Sequence, residues 1–169
     1  MTEDLLCYLL EKKADTNQTN KYGNNALHLL AAQPKINTKL IKLLCKKKAN
    51  LNITNKQKKT CFHLISSNEN ISIEIVKFLI KKGSNPNQID HKMQTPLHLI
   101  CYNENISANM IVFLLQNDAD PNSLDKYGKT PFHIACSNQN AQILTALLIY
   151  GANPYILFRV FFFFFYLFY

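Results

Sequence analysis

The stretch TPLHLICYNENIS, residues 95–107, decides the fold because the histidine within it recurs at a fixed distance along the chain. Successive members of the set His28, His63, His98 and His133 are 35 residues apart. A fixed period of this length is typical of repeat proteins, in which each copy buries its apolar face against the next. Each copy reads as a turn, a short helix, a loop and a longer helix.

The start of the short helix is marked most clearly in two copies, where Thr95 and Thr130 stand before Pro96 and Pro131. A threonine hydroxyl accepts a hydrogen bond from a free N–H group in the first helical turn, so both threonines are predicted N-caps. Proline suits the first helical position because no N–H group is needed there. The other two copies depart from this pattern, with Asn25-Ala26 in one and Cys61 in place of proline in the next.

The longer helix is clearest in SIEIVKFLIKKGSNPN, residues 72–87, where Ile75, Val76, Leu79 and Ile80 recur at helical spacing and form one apolar stripe. We expect Ser72 and its counterpart Ser107 to cap this helix. Gly83 follows the helix at the position where a left-handed backbone is common. The counterparts of this glycine are Lys13, Lys48, Asp118 and Gly151.

Several copies lack glycine where the backbone is expected to be left-handed. Lys13, Lys48 and Asp118 replace the turn glycine, and Lys58 and Met93 replace the glycine of the loop. A side chain in this conformation costs on the order of 1 kcal/mol. We therefore predict that the N-terminal half is the less stable half.

These motifs resemble ankyrin repeats over residues 1 to about 155. The resemblance is carried by TPLH at 95–98, DKYGKTP at 125–131, and the turns GSNPN at 83–87, DADPN at 118–122 and GANPY at 151–155. It implies an all-α solenoid of stacked antiparallel helix pairs with projecting β-hairpin loops. It divides the domain 1–155 into a half repeat, 1–19, and repeats at about 20–54, 55–89, 90–124 and 125–155. The period exceeds the usual ankyrin length of about 33 residues, and the extra residues fall in the interhelix loop.

The histidines invite a metal or catalytic interpretation, which the repeat geometry opposes. Equivalent side chains on stacked repeats lie roughly 8–10 Å apart, whereas two ligands of one zinc ion lie within about 4 Å of each other. We expect no metal, no cofactor and no catalytic residue. The resemblance implies that His98 bonds to the capping threonine and to the backbone of the adjoining loop. The residues expected to be structural are Thr95, Pro96, His28, His63, His98, His133, Gly83 and Gly151.

The five cysteines show no spacing typical of a zinc site. Cys101 and Cys136 occupy equivalent positions, so their separation should exceed the limit of about 7 Å for a disulfide. We predict free and mostly buried thiols, with Cys45 filling an apolar position. The sequence also lacks a G-x-S-x-G motif and a phosphate-binding glycine loop, so we expect that the chain is not an enzyme.

Positive charge is concentrated in the N-terminal half. Residues 1–85 hold fifteen lysines and six acidic residues, whereas residues 86–155 hold three lysines and five acidic residues. This bias permits two interpretations: attraction of an acidic protein or an anionic membrane, or a solvated surface that reflects A/T-rich codons. Nucleic acid is the less expected partner because the basic region has no arginine to grip phosphate.

Residues 156–169 form an aromatic, low-complexity tail. It is shorter than the roughly 20 apolar residues of a spanning helix. Three interpretations stay open: a gene-model artefact or truncation, the start of a membrane region, or a hydrophobic cap over the last repeat. The N-terminus carries acids where a signal peptide carries bases, so we expect a cytoplasmic, intracellular protein. The sequence starts with half a repeat and neither end has an ordinary polar cap, so we also expect a fragment of a larger protein.

The resemblance implies a non-catalytic scaffold or adaptor, expected to be a monomer, that binds another protein, one that could be acidic. Two alternatives stay open: a membrane-associated regulatory segment that uses the lysines and the tail, or the recognition arm of an enzyme whose catalytic domain lies elsewhere. By resemblance, the binding surface comprises the loop tips and the exposed side of the short helices. Its predicted members are Lys21, Tyr22, Asn24, Gln33, Lys56, Gln57, Lys59, Asn68, His91, Lys92, Gln94, Tyr102, Asn103, Lys126, Tyr127, Lys129 and Asn138.

Overall fold

The computed structural model describes residues 3–138 and 140–156, which comprise helices joined by turns and loops. The chain divides into two compact units, Met1–Asn85 and Pro86–Tyr169. No described residue adopts a β-strand conformation, which confirms the all-α class. Apart from Ile156, the aromatic tail lies outside the described residues. The extent of the single repeat domain, 1–155, stays a prediction.

The first unit contains α1 (Glu3–Glu11), α2 (Ala26–Ala31), α3 (Thr38–Lys46), α4 (Cys61–Ser66) and α5 (Ile73–Lys81). The short helix α2 packs against its partner α3 and against the next short helix, α4. Large apolar side chains from both helix types fill the core, among them Leu27, Leu40, Ile41, Phe62 and Leu79. Helix pairs therefore stack within this unit as the repeat predicts.

The second unit contains α6 (Pro96–Cys101), α7 (Ala108–Leu115), α8 (Pro131–Ser137) and α9 (Ala141–Ile149). Short helix packs on short helix, α6 on α8, and long helix packs on long helix, α7 on α9. The core side chains include Leu97, Ile100, Met110, Leu114 and Leu147. Packing of short helix on short helix, and of a short helix on its long partner, thus occurs in both units.

The helix starts agree with the sequence for the short helices but not for all the long ones. Thr95 and Thr130 cap α6 and α8 as predicted. Ser72 and Ser107 occupy the N-cap positions of α5 and α7, but neither hydroxyl makes a capping hydrogen bond. The predicted N-cap positions are therefore correct but the capping hydrogen bonds are absent; the Ser72 hydroxyl bonds to the Glu74 side chain instead. Asn37 and Asn140, which the sequence analysis overlooked, cap α3 and α9.

The predicted left-handed positions are confirmed. The backbone angle φ is positive at five residues other than glycine, with values between 56° and 64°: Lys13, Lys48, Lys58, Met93 and Asp118. Gly83 and Gly151 occupy the equivalent turn position, with φ of 87° and 88°. The repeat register therefore extends through the turns as well as the helices.

The projecting loops are turns rather than the predicted β-hairpins. In the first loop, Asn20 N–H donates to the carbonyl of Asn24, and Gly23 N–H donates to the carbonyl of Asn20. Between loops, one backbone hydrogen bond joins Lys56 to Tyr22 and another joins Lys126 to Lys92. No described loop residue is in a β-strand, so these loops are turns without a strand ladder.

The cysteine prediction is only partly correct. Cys61 and Cys101 are buried, but Cys7 and Cys45 are half-buried and Cys136 is exposed. Cys45 lies on the flank of α3, beside the fully buried Leu44, so it is not the buried filler that the sequence predicted. Ile80 is likewise half-buried, whereas Ile75, Val76 and Leu79 are buried as expected.

Candidate functional site

Both ring nitrogens of His98 take part in hydrogen bonds. The N–H of Thr95 donates to Nδ1 of His98 over 3.1 Å, and the Thr95 hydroxyl lies 2.8 Å from the same nitrogen. Because Nδ1 accepts the backbone bond, Nε2 carries the proton and donates to the carbonyl of Lys129 over 3.1 Å. His98 therefore joins the start of its own helix to the next loop.

The environment of His98 favours the neutral ring. Burial lowers its pKa, and the carbonyl of Lys129 and the charge of Asp125 only partly oppose this effect. The ring is completely buried, with 0% of the side chain exposed. A neutral ring with both nitrogens occupied and no access to solvent is poorly suited to general base catalysis or metal binding.

The equivalent histidines repeat this arrangement. His28 accepts from the N–H of Asn25 at Nδ1 and lies 2.9 Å from the carbonyl of Lys59 through Nε2. His63 and His133 form the same capping box with Thr60 and Thr130. Among the described residues, no group of three or more His, Cys, Asp or Glu side chains is placed to hold a metal ion.

Each loop is held in shape by an Asn or Asp side chain at its first position. The Oδ1 atom accepts hydrogen bonds from the N–H groups two and four residues later, at distances of 2.8–3.1 Å; the residues are Asn20, Asn55, Asp90 and Asp125. The two bonds fix the turn and leave its tip facing solvent. Side chains on the tips are thus displayed by an ordered backbone.

The tips carry exposed aromatic and cationic side chains. Tyr22 is 58% exposed and Tyr127 is 55% exposed. The ammonium groups of Lys21 and Lys126 lie over these rings, 5.1 and 4.7 Å from the ring centroids. Such pairs combine apolar area with a charge, a combination common in protein interfaces.

In the second unit, Tyr102 extends the exposed aromatic surface onto the end of a short helix. It is half exposed at 51%, and it receives a hydrogen bond on its hydroxyl from the Gln94 side chain over 3.4 Å. Burial and then the charge of Asp125 raise the pKa of Tyr102, with Tyr127 contributing as well. Tyr102 and Tyr127 therefore lie near each other, and the phenol of Tyr102 stays protonated at neutral pH.

Gln94 is buried, so the prediction that it lies on the exposed surface is wrong. Only 8% of Gln94 is exposed, because its side chain turns toward Tyr102. The exposed residue that the analysis overlooked is Met93 at the tip of the same loop, with 47% exposure. We define the aromatic loop surface of the second unit as Met93, Tyr102 and Tyr127.

Four of the predicted surface asparagines have structural hydrogen bonds. Asn68 donates to the carbonyl of Gln33 over 3.0 Å, and Asn138 donates to the carbonyl of Cys101 over 2.8 Å. The Asn24 side chain accepts from Asn55, and Asn103 accepts from the backbone of Asn105. Among the remaining predicted members, Lys59 and Lys129 are half-buried, and the exposed ones are Lys21, Tyr22, Gln33, Lys56, Gln57, His91, Lys92, Tyr102, Lys126 and Tyr127.

A second periodic set of side chains, which we call the asparagine ladder, was not recognised in the sequence. The side-chain Nδ2 of each member donates to the carbonyl of the left-handed turn residue in the following repeat. Its Oδ1 accepts from the backbone N–H of the residue two positions after that turn residue. The members are Asn17, Asn52, Asn87 and Asn122. The 35-residue recurrence could have revealed them, but asparagine is so frequent in this chain that the set does not stand out.

Comparison with known families identifies the fold class. A family described as "Ankyrin repeats (3 copies)" matches residues 2–90 and 62–157. The chain belongs to the ankyrin-repeat family. Ankyrin repeats are generally protein–protein interaction modules and are typically not catalytic. No match was found among the curated proteins compared with the chain.

No helix in the described part of the chain is both long and apolar enough to cross a bilayer.

Proposed function

We propose that the chain is a non-catalytic scaffold that binds a partner protein through the tips of its loops and the exposed side of its short helices. The proposal rests on one observation above all: in the second unit, an ordered loop presents the exposed Tyr127 near the exposed Tyr102 at the end of a short helix. In the second unit the Lys126 N–H donates to the carbonyl of Lys92 over 2.9 Å, which ties one loop to the next. A surface ordered before binding loses little conformational entropy when a partner docks.

The aromatic loop surface is the part of this scaffold that we expect to contribute most to affinity. Tyrosine offers a large rigid ring with few rotatable bonds, and methionine adapts its shape to a partner. The neighbouring Lys92 and Lys126 are exposed and add positive charge at its edge. A partner that presents an apolar patch bordered by acidic side chains would match this surface.

The test is capture of partner proteins by the full chain, compared between variants and followed by mass spectrometry. Tyr102→Ala and Tyr127→Ala each remove an exposed ring and should lower affinity by about tenfold or more if the ring is a hot spot. Gln142→Ala and Thr145→Ala change exposed positions on α9 and serve as matched controls. The proposal fails if a reproducible partner is retained equally by all four variants.

A further inference from the structure

Five of the fifteen lysines of the first unit are exposed on its long helices α3 and α5. Lys39, Lys42 and Lys46 lie along the exposed side of α3, and Lys77 and Lys81 lie along the exposed side of α5. The lysines of α3 are three and four residues apart and those of α5 are four apart, spacings that place the lysines of each helix in a single row. We call these five residues the lysine stripe.

The two rows lie beside each other. The Lys42 ammonium group is 5.7 Å from the centroid of the Phe78 ring on α5. Glu74, the one acidic residue within α3 and α5, has its pKa lowered by its own backbone N–H and by Ser72, with smaller contributions from Lys77 and Lys42. One carboxylate among five ammonium groups leaves the stripe strongly positive.

The register of the stripe argues against codon bias as its cause. Lys42 and Lys46 have Lys77 and Lys81 as their equivalents one period later. One further period later, the positions equivalent to Glu74, Lys77 and Lys81 hold Asn109, Val112 and Gln116, none of which is charged. A compositional bias toward lysine would not select matching exposed positions on two adjacent long helices and avoid them on the next.

A groove lies at the N-terminal ends of the two helices, and Thr38 in its lining directly precedes Lys39 of the stripe. It has a volume of about 520 Å³ and is lined by Lys35, Ile36, Thr38, Asn70 and Ser72, among others. A concave feature of this kind accepts a polypeptide segment but not a flat bilayer. Neither α3 nor α5 carries a large exposed apolar side chain that could insert into lipid, as surface-bound helices generally do.

We propose that the lysine stripe and the groove form a second docking surface that binds an acidic polypeptide segment of a partner. A segment rich in aspartate or glutamate would lie along the two rows of ammonium groups, and one end would enter the groove. The lysine ammonium groups are point charges on flexible stems, so they can pair with the carboxylates of a segment in more than one geometry. This inference extends the proposed function by naming partner chemistry, and it does not depend on the aromatic loop surface.

The experiment measures binding of a fluorescein-labelled poly-glutamate peptide to the full chain by fluorescence anisotropy. The variant K42Q/K46Q/K77Q/K81Q should lose about tenfold or more in affinity, since four close charges are removed. The matched control K12Q/K13Q/K47Q/K48Q removes the same charge from exposed turn positions outside both proposed surfaces and should stay within about twofold of wild type. Replacement of the same four stripe lysines by arginine should restore binding, and thermal melts check that all variants fold.

Three results would overturn the proposal: no binding of the peptide by wild type, equal losses in both neutralised variants, or binding to phosphatidylserine vesicles without binding to the peptide. The second would assign the attraction to net charge alone, and the third to a membrane. Because Tyr102 and Tyr127 are unchanged in every stripe variant, failure here leaves the loop-based scaffold standing. Loss of capture by the tyrosine variants likewise says nothing against the stripe.

Discussion

At the scale of single residues, Thr95 and His98 form a structural pair whose removal should weaken the fold. Thr95→Ala removes an N-cap, typically worth about 1 kcal/mol. His98→Ala leaves the N–H of Thr95 and the carbonyl of Lys129 without their partner, at an expected cost of about 1–3 kcal/mol. Denaturant midpoints of the full chain measure both effects.

The control for this pair is Tyr127→Ala, which should leave the midpoint near that of wild type because the ring is 55% exposed. The structural role would be contradicted if His98→Ala kept the wild-type denaturant midpoint but lost a function. That result would instead indicate a catalytic role for His98.

The buried histidines also predict how stability depends on pH. Burial lowers the pKa of His28, His98 and His133 relative to the ordinary value of 6.5. The unfolded chain therefore binds protons first as the pH falls through about 6.5, which favours unfolding. We expect these histidines to leave the free energy of unfolding unchanged above about pH 6.5 and to lower it as the pH falls further.

Urea denaturation at a series of pH values measures this dependence. The decrease below pH 6.5 should be smaller in His98→Ala than in wild type, since one of the three groups is gone. An identical decrease in both proteins would show that His98 does not contribute to it.

At the scale of the element, the turns allow a direct comparison between two glycines. A Cβ atom at Gly83 would meet nothing within 4 Å, so Gly83→Ala should cost only the backbone strain, about 1 kcal/mol. A Cβ atom at Gly23 would lie 3.0 Å from the backbone nitrogen of Lys56 and 3.1 Å from Cα of Asn55. Gly23→Ala should therefore destabilise more, because it also disturbs the hydrogen bond between the two loops.

Thermal or denaturant unfolding of both variants tests this order. Lys48→Gly is the opposite change, because it removes a side chain from a backbone position with positive φ. It should stabilise the folded chain by up to about 1 kcal/mol. If Gly23→Ala were no worse than Gly83→Ala, the contact between the loops would not be rigid.

The left-handed turn positions could be predicted from the sequence, whereas two side-chain arrangements could not. The period located all five left-handed residues other than glycine in the described chain, because a turn position follows from counting alone. It failed at Ser72, where a nearby glutamate side chain competes for the cap, and at Gln94, whose burial depends on the neighbouring Tyr102. Both outcomes depend on which neighbouring side chains bond to each other, and the 35-residue period does not specify those contacts.

The lysine stripe illustrates the same limit for the candidate sites. The charge bias was evident from the sequence, but its concentration on the exposed sides of α3 and α5 required knowledge of which helical positions face solvent. The binding role of the loop residues stays a prediction, although the structure shows which of them are exposed and which are buried.

At the scale of the whole molecule, we predict that the two units differ in stability. The first unit holds three of the five left-handed residues other than glycine, Lys13, Lys48 and Lys58. Its short helices begin with Asn25-Ala26 and Thr60-Cys61, whereas those of the second unit begin with a Thr-Pro pair that lowers the entropy of the unfolded chain. Amide hydrogen exchange should be faster in the helices of residues 1–85 than in those of residues 86–156. Equal protection in the two units would contradict this expectation.

The asparagine ladder has a consequence for how the chain can change in length. Within the second unit, the rung from Asn122 to the carbonyl of Gly151 measures 2.9 Å although it spans 29 residues, two fewer than the rung from Asn87 to Asp118. Each rung uses atoms of one repeat and the next only. A tandem duplication of residues 90–124 would therefore add one rung and leave no existing donor or acceptor without a partner. Unequal recombination can thus alter the number of repeats and enlarge the recognition surface one loop at a time.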